Sequence, residues 1–290
     1  MIKIILQGGL GNQMFEYAAA CAISHRNKVS FALDMSYMDV FGHKTWCRPY
    51  ELSVFALHQS ANFTHDKRLA VRFLSLLRTW CRKRGITTLG RYVFDVETLD
   101  KAPRRKSLLL FDYFANCHLF ELYREDLLQA FTFAEKPNET NAKLLKEIDE
   151  TNSIAVHIRR GDYLNNVNAN VFWHPIVEWY QRAIECMNER IEAPRFYFFS
   201  DDIAWVREQF VGMQNATFVD VNHGGEAYND MRLMSACKHN IIANSTFSWW
   251  GAWLNMNPNK IVIAPARYYM SDEGNKKYLS QMIPSGWITL

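Results

Sequence analysis

No two of the six cysteines stand as Cys-x-x-Cys, which argues against a zinc ribbon or a thioredoxin-like redox pair. Cys21, Cys47, Cys81, Cys117, Cys186 and Cys237 are scattered through 290 residues, as suits reduced thiols in cores. No apolar run approaches the roughly 18 uninterrupted residues of a membrane span. The opening MIKIILQGGLGNQ has only a very short apolar run before its glycines, so it does not read as a secretory signal. A soluble protein of a reducing compartment is expected. A strong excess of one charge is also missing: the net charge is +3, and the total gives no case for nucleic acid. Internal repeats and low-complexity tracts are absent.

What the chain does have is enough apolar residue, 49%, for one large domain or two smaller ones. Its 14% aromatic content, with nine Trp, fits carbohydrate- or ligand-sized pockets. The charge is uneven. From Lys67 to Lys106 there are twelve Lys and Arg against Asp95, Glu97 and Asp100, so a basic block sits on an otherwise acidic chain and suggests a local anionic partner.

The order of patterns predicts an α/β protein. IKIILQ reads as a strand, GGLGNQ as a turn and MFEYAAACAISHRN as a helix. From Asp66 to Arg84, Leu69, Phe73, Leu76, Leu77 and Trp80 recur at helical spacing with Lys67, Arg68, Arg72, Arg82 and Lys83 mostly off that stripe. This is an amphipathic basic helix whose stripe is expected to pack on the first domain, unless it docks on a membrane. LLLFDYF reads as a strand, and LFELYREDLLQAF and NETNAKLLKEIDETN as helices. A domain boundary is placed near Asn152, giving domains 1–151 and 152–290. Beyond it SIAVHI, RFYFFS, ATFVDV, NIIAN and KIVIAP alternate with helices, as a parallel sheet covered on both faces requires.

Ligands of such sheets bind beyond the carboxyl ends of the strands. There stand Arg159, Arg160, Gly161 and Asp162, then Ser200, Asp201 and Asp202, then Ser245, Thr246, Phe247 and Ser248 opening a helix. Two adjacent cations at a strand end call for an anion. Hydroxyls and free N–H groups at a helix start form a site for one, and arginines close on it with forked bonds. A nucleotide diphosphate fits both features. The same residues have plainer readings: Arg159 and Arg160 as surface ion pairs, and the Ser and Asp residues as helix caps. Gly9-Leu10-Gly11-Asn12-Gln13-Met14 has Met where the dinucleotide fingerprint needs a third Gly, and no Gly-Lys-Ser/Thr follows. It reads as a close-approach turn that lets Asn12 face a cleft.

GGLGNQMFEYAAA, VHIRRGDY, FYFFSDD and NSTFSWWGAWLN, in that order, resemble the bacterial α-1,2-fucosyltransferases of glycosyltransferase family 11, with a match running from residue 7 to about 265. The resemblance implies a GT-B-like α/β architecture of two Rossmann-like domains with parallel sheets and an interdomain cleft. The second domain would bind GDP-fucose and the first the acceptor. It implies inverting, metal-independent transfer of fucose from GDP-β-L-fucose to the 2-hydroxyl of a terminal β-galactoside, with no cofactor. Carried over by position, His157, Arg159 and Arg160 lie in the shared motif, one arginine holding the β-phosphate. Thr246, Phe247 and Ser248 match a phosphate-binding piece, Asp230 an aspartate that holds guanine, and Asn12 an asparagine near the reaction centre. The membrane anchor of related eukaryotic enzymes is not seen, so a bacterial cytoplasm is expected. If the basic segment 66–84 docks on the inner face of the plasma membrane, the glycan acceptor would be lipid-linked.

Asp162 is the nominee for acceptor base; its other reading is an acid that orients Arg159 or Arg160. Three rival functions stay open at this point. One is a non-catalytic nucleotide-sugar or glycan-binding module, and one is fucosyl transfer to a different hydroxyl. The third is a metal-dependent GT-A transferase using Asp201 and Asp202, although that fold normally spaces its acids as Asp-x-Asp and here they are adjacent.

Overall fold

The computed structural model describes residues 1–45, 47–59, 61–65, 68–99, 104–161 and 170–290. They form two compact units, Met1–Glu135 and Lys136–Leu290. The first unit runs β1 (Ile2–Ile5), α1 (Leu10–Asn27), β2 (Phe31–Asp34), α2 (Ser36–Phe41), β3 (Phe63–Thr64), α3 (Arg68–Lys83), β4 (Thr88–Leu89), β5 (Tyr92–Val93), α4 (Val96–Leu99), β6 (Leu108–Leu110) and α5 (Arg124–Ala130). Its sheet has the order β3-β2-β1-β6-β5-β4. All neighbours are parallel except the β4–β5 hairpin at one edge.

The second unit runs α6 (Glu139–Asp149), β7 (Asn152–Ile158), α7 (Val177–Asn188), β8 (Pro194–Ser200), α8 (Ile203–Gln209), β9 (Ala216–Phe218), α9 (Tyr228–Ala236), β10 (His239–Ile241), α10 (Thr246–Leu254), β11 (Val262–Ala264), α11 (Asp272–Met282) and β12 (Ile288–Thr289). Its sheet is wholly parallel, β12-β11-β10-β7-β8-β9. Counted from β7, this is the doubly wound order 3-2-1-4-5-6 of a dinucleotide-binding fold. With both faces covered, a strand can be apolar throughout, and Phe196, Tyr197, Phe198 and Phe199 of β8 are all fully buried. From α7, Trp179, Tyr180, Ala183 and Met187 recur at helical spacing and pack on β7 and β8. Burying side chains of this size stabilises by roughly 1.5–3 kcal/mol each.

Several elements differ from expectation. The polar helix α6 falls within the second unit. Its Ile148 is buried and its Asn141 bonds Asn222, so it packs with that unit rather than closing the first. Helix α1 begins at Leu10, so Gly11, Asn12 and Gln13 lie in its first turn and not in a loop. Of LFELYREDLLQAF only Arg124–Ala130 is α-helical. In α3 the expected stripe is divided, with Leu77 packing on the core. Val71, Leu74 and Cys81 are buried, whereas Phe73, Leu76 and Trp80 are exposed. Arg78 and Arg82 lie toward the inward side, where they find acceptors just beyond the carboxyl ends of the central strands β1 and β6.

Candidate functional site

In the second sheet β8 and β9 lie on one side of β7, and β10, β11 and β12 on the other. The strand order therefore reverses between β7 and β10, the place where open α/β sheets bind ligands. Arg159 and Arg160 follow β7 there, and Ser245 and Thr246 follow β10.

Register sets the arginines against the acids. Ile158 pairs with Ser200 at the end of β7 and β8, so the next two residues of each chain meet side by side. Arg159 Nη1 lies 3.0 Å from Asp201 Oδ2, and the backbone N–H of Arg160 donates to Asp201 Oδ1 at 2.9 Å. Arg160 Nε donates to Asp202 Oδ2 at 3.0 Å, and its guanidinium carbon lies 3.6 Å from the centre of the Trp205 ring. A Cβ on Gly161 would overlap the Asp201 carboxylate, so glycine is what lets that acid lie over the loop. Asp202 also caps α8, accepting from Trp205 N at 3.4 Å. Both plain readings thus hold: the arginines are ion-paired and one acid is a cap. A guanidinium has five N–H donors in a rigid fork, however, so an acid partner on one edge orients Arg160 without exhausting it.

His157 is buried on β7, with its ring 5.9 Å from that of Phe247, which ties the end of β7 to the start of α10. Burial and the neighbouring Arg159 charge hold its pKa down at about 4, against the pull of Asp201, so the ring is neutral at pH 7. Its Nδ1 is buried and lacks a partner among the described residues.

At the start of α10 the three hydroxyls divide their tasks. Ser245 is the N-cap and accepts from Phe247 N at 3.3 Å. Ser248 is fully buried and donates back to Ala243 O and Ser245 O. Thr246, half-buried at the first helical position, is the hydroxyl left at the switch point. Behind it Trp249 and Trp250 are core residues, so much of the aromatic content is packing rather than pocket lining.

Asp230 sits in the first turn of α9 and accepts from Asn222 at 2.8 Å. Asn222 in turn exchanges bonds with Asn141 of α6 at 2.8 and 3.0 Å. Burial pushes the Asp230 carboxyl up to about 7, against the pull of Asn222 and His223. This amide-buttressed acid is a separate cluster from the Arg–Asp ladder.

In the first unit Gly8 has φ +70°, and a Cβ there would lie 2.5 Å from Asn12 Nδ2, whereas a Cβ on Gly9 would meet only ordinary contacts at 3.7 Å and beyond. Gly9 is the N-cap of α1, and Gly11 is buried in its first turn. Gln13 is fully buried: its amide donates to Gly8 O and Pro49 O at 2.8 Å and accepts from Glu51 N at 2.9 Å. Glu51 supplies the carboxylate at the α1 N-terminus, accepting from Leu10 N at 2.6 Å. Half-buried Asn12 remains as the polar side chain of this turn without such a clamp.

The family model for glycosyl transferase family 11 matches residues 95–290. The chain belongs to that family. As a family 11 glycosyltransferase it is 32% identical to the O-antigen biosynthesis glycosyltransferase WbnK of Escherichia coli, over 98% of this chain and 99% of that protein. It is also 32% identical to an alpha-1,2-colitosyltransferase of Escherichia coli, over 98% of this chain and 97% of the other. Among solved structures, the fucosyltransferase NodZ from Bradyrhizobium superposes with a TM-score of 0.55 at 13% identity, covering 86% of this chain and 91% of that one. NodZ has also been co-crystallised with GDP. The fold is accordingly GT-B-like, an α/β protein with two Rossmann-like sheets.

For this family 11 member the structure brings His157, Arg159, Arg160, Gly161 and Asp201 together and sets Phe247 against them. Asp162 lies outside the described residues. Asp201 and Asp202 each face a different arginine. Sequence reasoning missed Trp205, although its position three residues after Asp202 on a helix was the available signal. It also missed a polar cluster in the first unit. There Arg78 Nη1 donates to Gln7 Oε1 at 3.2 Å, and Arg82 pairs with Asp112 at 2.6 Å. The fully buried Glu16 accepts from Gln7 N at 3.0 Å. Desolvation holds the Glu16 carboxyl well above the usual carboxylate range.

Proposed function

We propose that the protein transfers L-fucose from GDP-β-L-fucose to the 2-hydroxyl of a terminal β-galactoside, with inversion and without a metal. The observation that carries this reading is the pair Arg159 and Arg160 at the switch point of a doubly wound sheet, beside the N-terminus of α10. The donor follows from the resemblance in the VHIRRGDY and NSTFSWWGAWLN stretches. The 1,2 linkage is supported by the relative that carries it in its name.

In this reading the acceptor oxygen attacks the anomeric carbon opposite the diphosphate. The carbon–oxygen bond to the β-phosphate breaks, and its electron pair leaves with GDP. Negative charge grows on the β-phosphate, where Arg160 or Arg159, Thr246 and the free N–H groups of α10 stabilise it. Each such preorganised donor contributes roughly 10²–10³ in rate. The proton of the acceptor hydroxyl passes to a base, for which Asp162 is nominated. Asp230 accepts the guanine N–H groups, and neutral His157 supports the arginine loop. The first unit binds the acceptor, with Asn12 at the acceptor hydroxyl. We place the enzyme in the bacterial cytoplasm, acting on a lipid-linked glycan at the inner face of the plasma membrane.

One second reading is favoured by a specific observation. A colitosyltransferase is as similar to this chain as the other relative named above, and colitose is fucose without its 3-hydroxyl. The deciding experiment offers GDP-fucose and GDP-colitose in parallel to a panel of β-galactosides, with and without EDTA. The proposal expects faster turnover of GDP-fucose, unchanged by EDTA. Turnover of GDP-colitose alone would move the donor assignment, and EDTA-abolished turnover restored by Mn²⁺ would overturn the metal-independent mechanism.

A further inference from the structure

Helix α3 has two apolar faces. The inner one, Val71, Leu74 and Cys81, is buried, beside Arg78 and Arg82, which reach acceptors just beyond the carboxyl ends of the central strands β1 and β6. The outer one is Phe73, Leu76 and Trp80, at i, i+3 and i+7, and these are 63%, 72% and 45% exposed. At 100° per residue the two stripes are centred about 140° apart around the helix. A core cannot be what the outer stripe is for, because the helix already spends its other side on one. Large apolar side chains aligned on a water-facing stripe mark an interaction surface.

The charge around the stripe says what the partner is. From Arg68 to Phe94 there are seven Arg and Lys and no Asp or Glu. Arg72, Lys83 and Arg84 are exposed and form no ion pair among the described residues. Arg84 lies over the Trp80 ring at 4.4 Å, which puts a cation directly beside the stripe. Arg105 donates to Gly90 O at the turn of the β4–β5 hairpin, so it serves that turn. Trp, Phe and Leu flanked by Arg and Lys form the pattern of a helix lying in a lipid interface. The rings enter the acyl boundary and the cations meet anionic headgroups.

We infer that the outer face of α3, Phe73, Leu76 and Trp80 with Arg72, Lys83 and Arg84, docks the protein on an anionic lipid surface. The use of such docking, presentation of a lipid-linked acceptor, rests on the function proposed above; the contact itself does not.

The test is co-sedimentation of the full chain with phosphatidylcholine vesicles with and without phosphatidylglycerol, at low and high salt. Binding is expected only to the anionic vesicles, weakening as salt screens the cations. Phe73→Ser, Leu76→Ser and Trp80→Ser together should abolish it. Arg72→Gln, Lys83→Gln and Arg84→Gln should each weaken it about fivefold. The Gln variants alter only water-facing cations, so they decide the matter even if the Ser variant does not fold. No sedimentation at low salt, or equal binding of all variants, would overturn the inference. So would a dimer in light scattering that the Ser variant dissolves, which would assign the face to a second copy. Turnover on a soluble β-galactoside is read in the same preparations. Vesicle binding without turnover would fault the proposed function alone, and turnover without vesicle binding would fault the docking alone.

Discussion

The guanidinium of Arg160 is stacked 3.6 Å from the ring centre of Trp205. Asp202 holds its Nε edge, so the plane of the fork is set before any ligand arrives. A preset fork costs less order on binding than a free side chain. This favours Arg160 over Arg159 as the diphosphate partner. Arg160→Lys keeps the charge but loses fork and stack, and kcat with GDP-fucose is expected to fall about 10²–10³-fold with the melting temperature little changed. Near-wild-type kcat would remove Arg160 from the chemistry.

Gly161→Ala places a methyl group on the Asp201 carboxylate. Asp201 must then move, and with it the bonds to Arg159 and to the Arg160 backbone. GDP affinity by calorimetry is expected to drop about tenfold, the equivalent of ~1.4 kcal/mol. Unchanged affinity would mean that Asp201 has no part in placing the arginines.

Asp230 gives a pH signature. Its carboxyl titrates at about 7, and only the ionised form accepts both guanine N–H groups. Guanosine avoids phosphate titration, and its affinity should rise with pH through that value and be pH-independent in Asp230→Asn. A wild-type profile as flat as the variant's would place guanine elsewhere.

Glu16 offers a test of the first unit. Its folded pKa lies above the usual 4.5, so the native state keeps a proton that the unfolded chain releases. Stability is then fully present below that value and falls as pH rises, by at most about 1.4 kcal/mol per pH unit until the folded pKa is passed. Glu16→Gln mimics the protonated form and should flatten urea-derived stability above pH 4.5. Parallel wild-type and variant curves would contradict this.

The second unit was legible in sequence because each strand there is a short apolar run ended by polar residues, so SIAVHI, RFYFFS and NIIAN marked both the elements and the edge that binds. The Arg–Asp pairing was legible only as one of two readings, since it depends on Ile158 standing opposite Ser200, a register that no local pattern carries. The α3 stripe misled because periodicity reports that a face is apolar and not which of two apolar faces meets the sheet. That choice was made by Arg78 and Arg82, cations whose acceptors at Gln7, Phe111 and Asp112 lie far away in sequence. Gln13 reads from sequence as part of a turn, and its clamp on Pro49 and Glu51, remote in the chain, leaves no local signal.

The most direct measurement of the central claim is a crystal structure of the protein with GDP. The β-phosphate is expected within hydrogen-bonding distance of Arg160 or Arg159 and of Thr246 or the first N–H groups of α10, with guanine on Asp230. A diphosphate bound away from both arginines, or held by Asp201 and Asp202 through a metal ion, would contradict it.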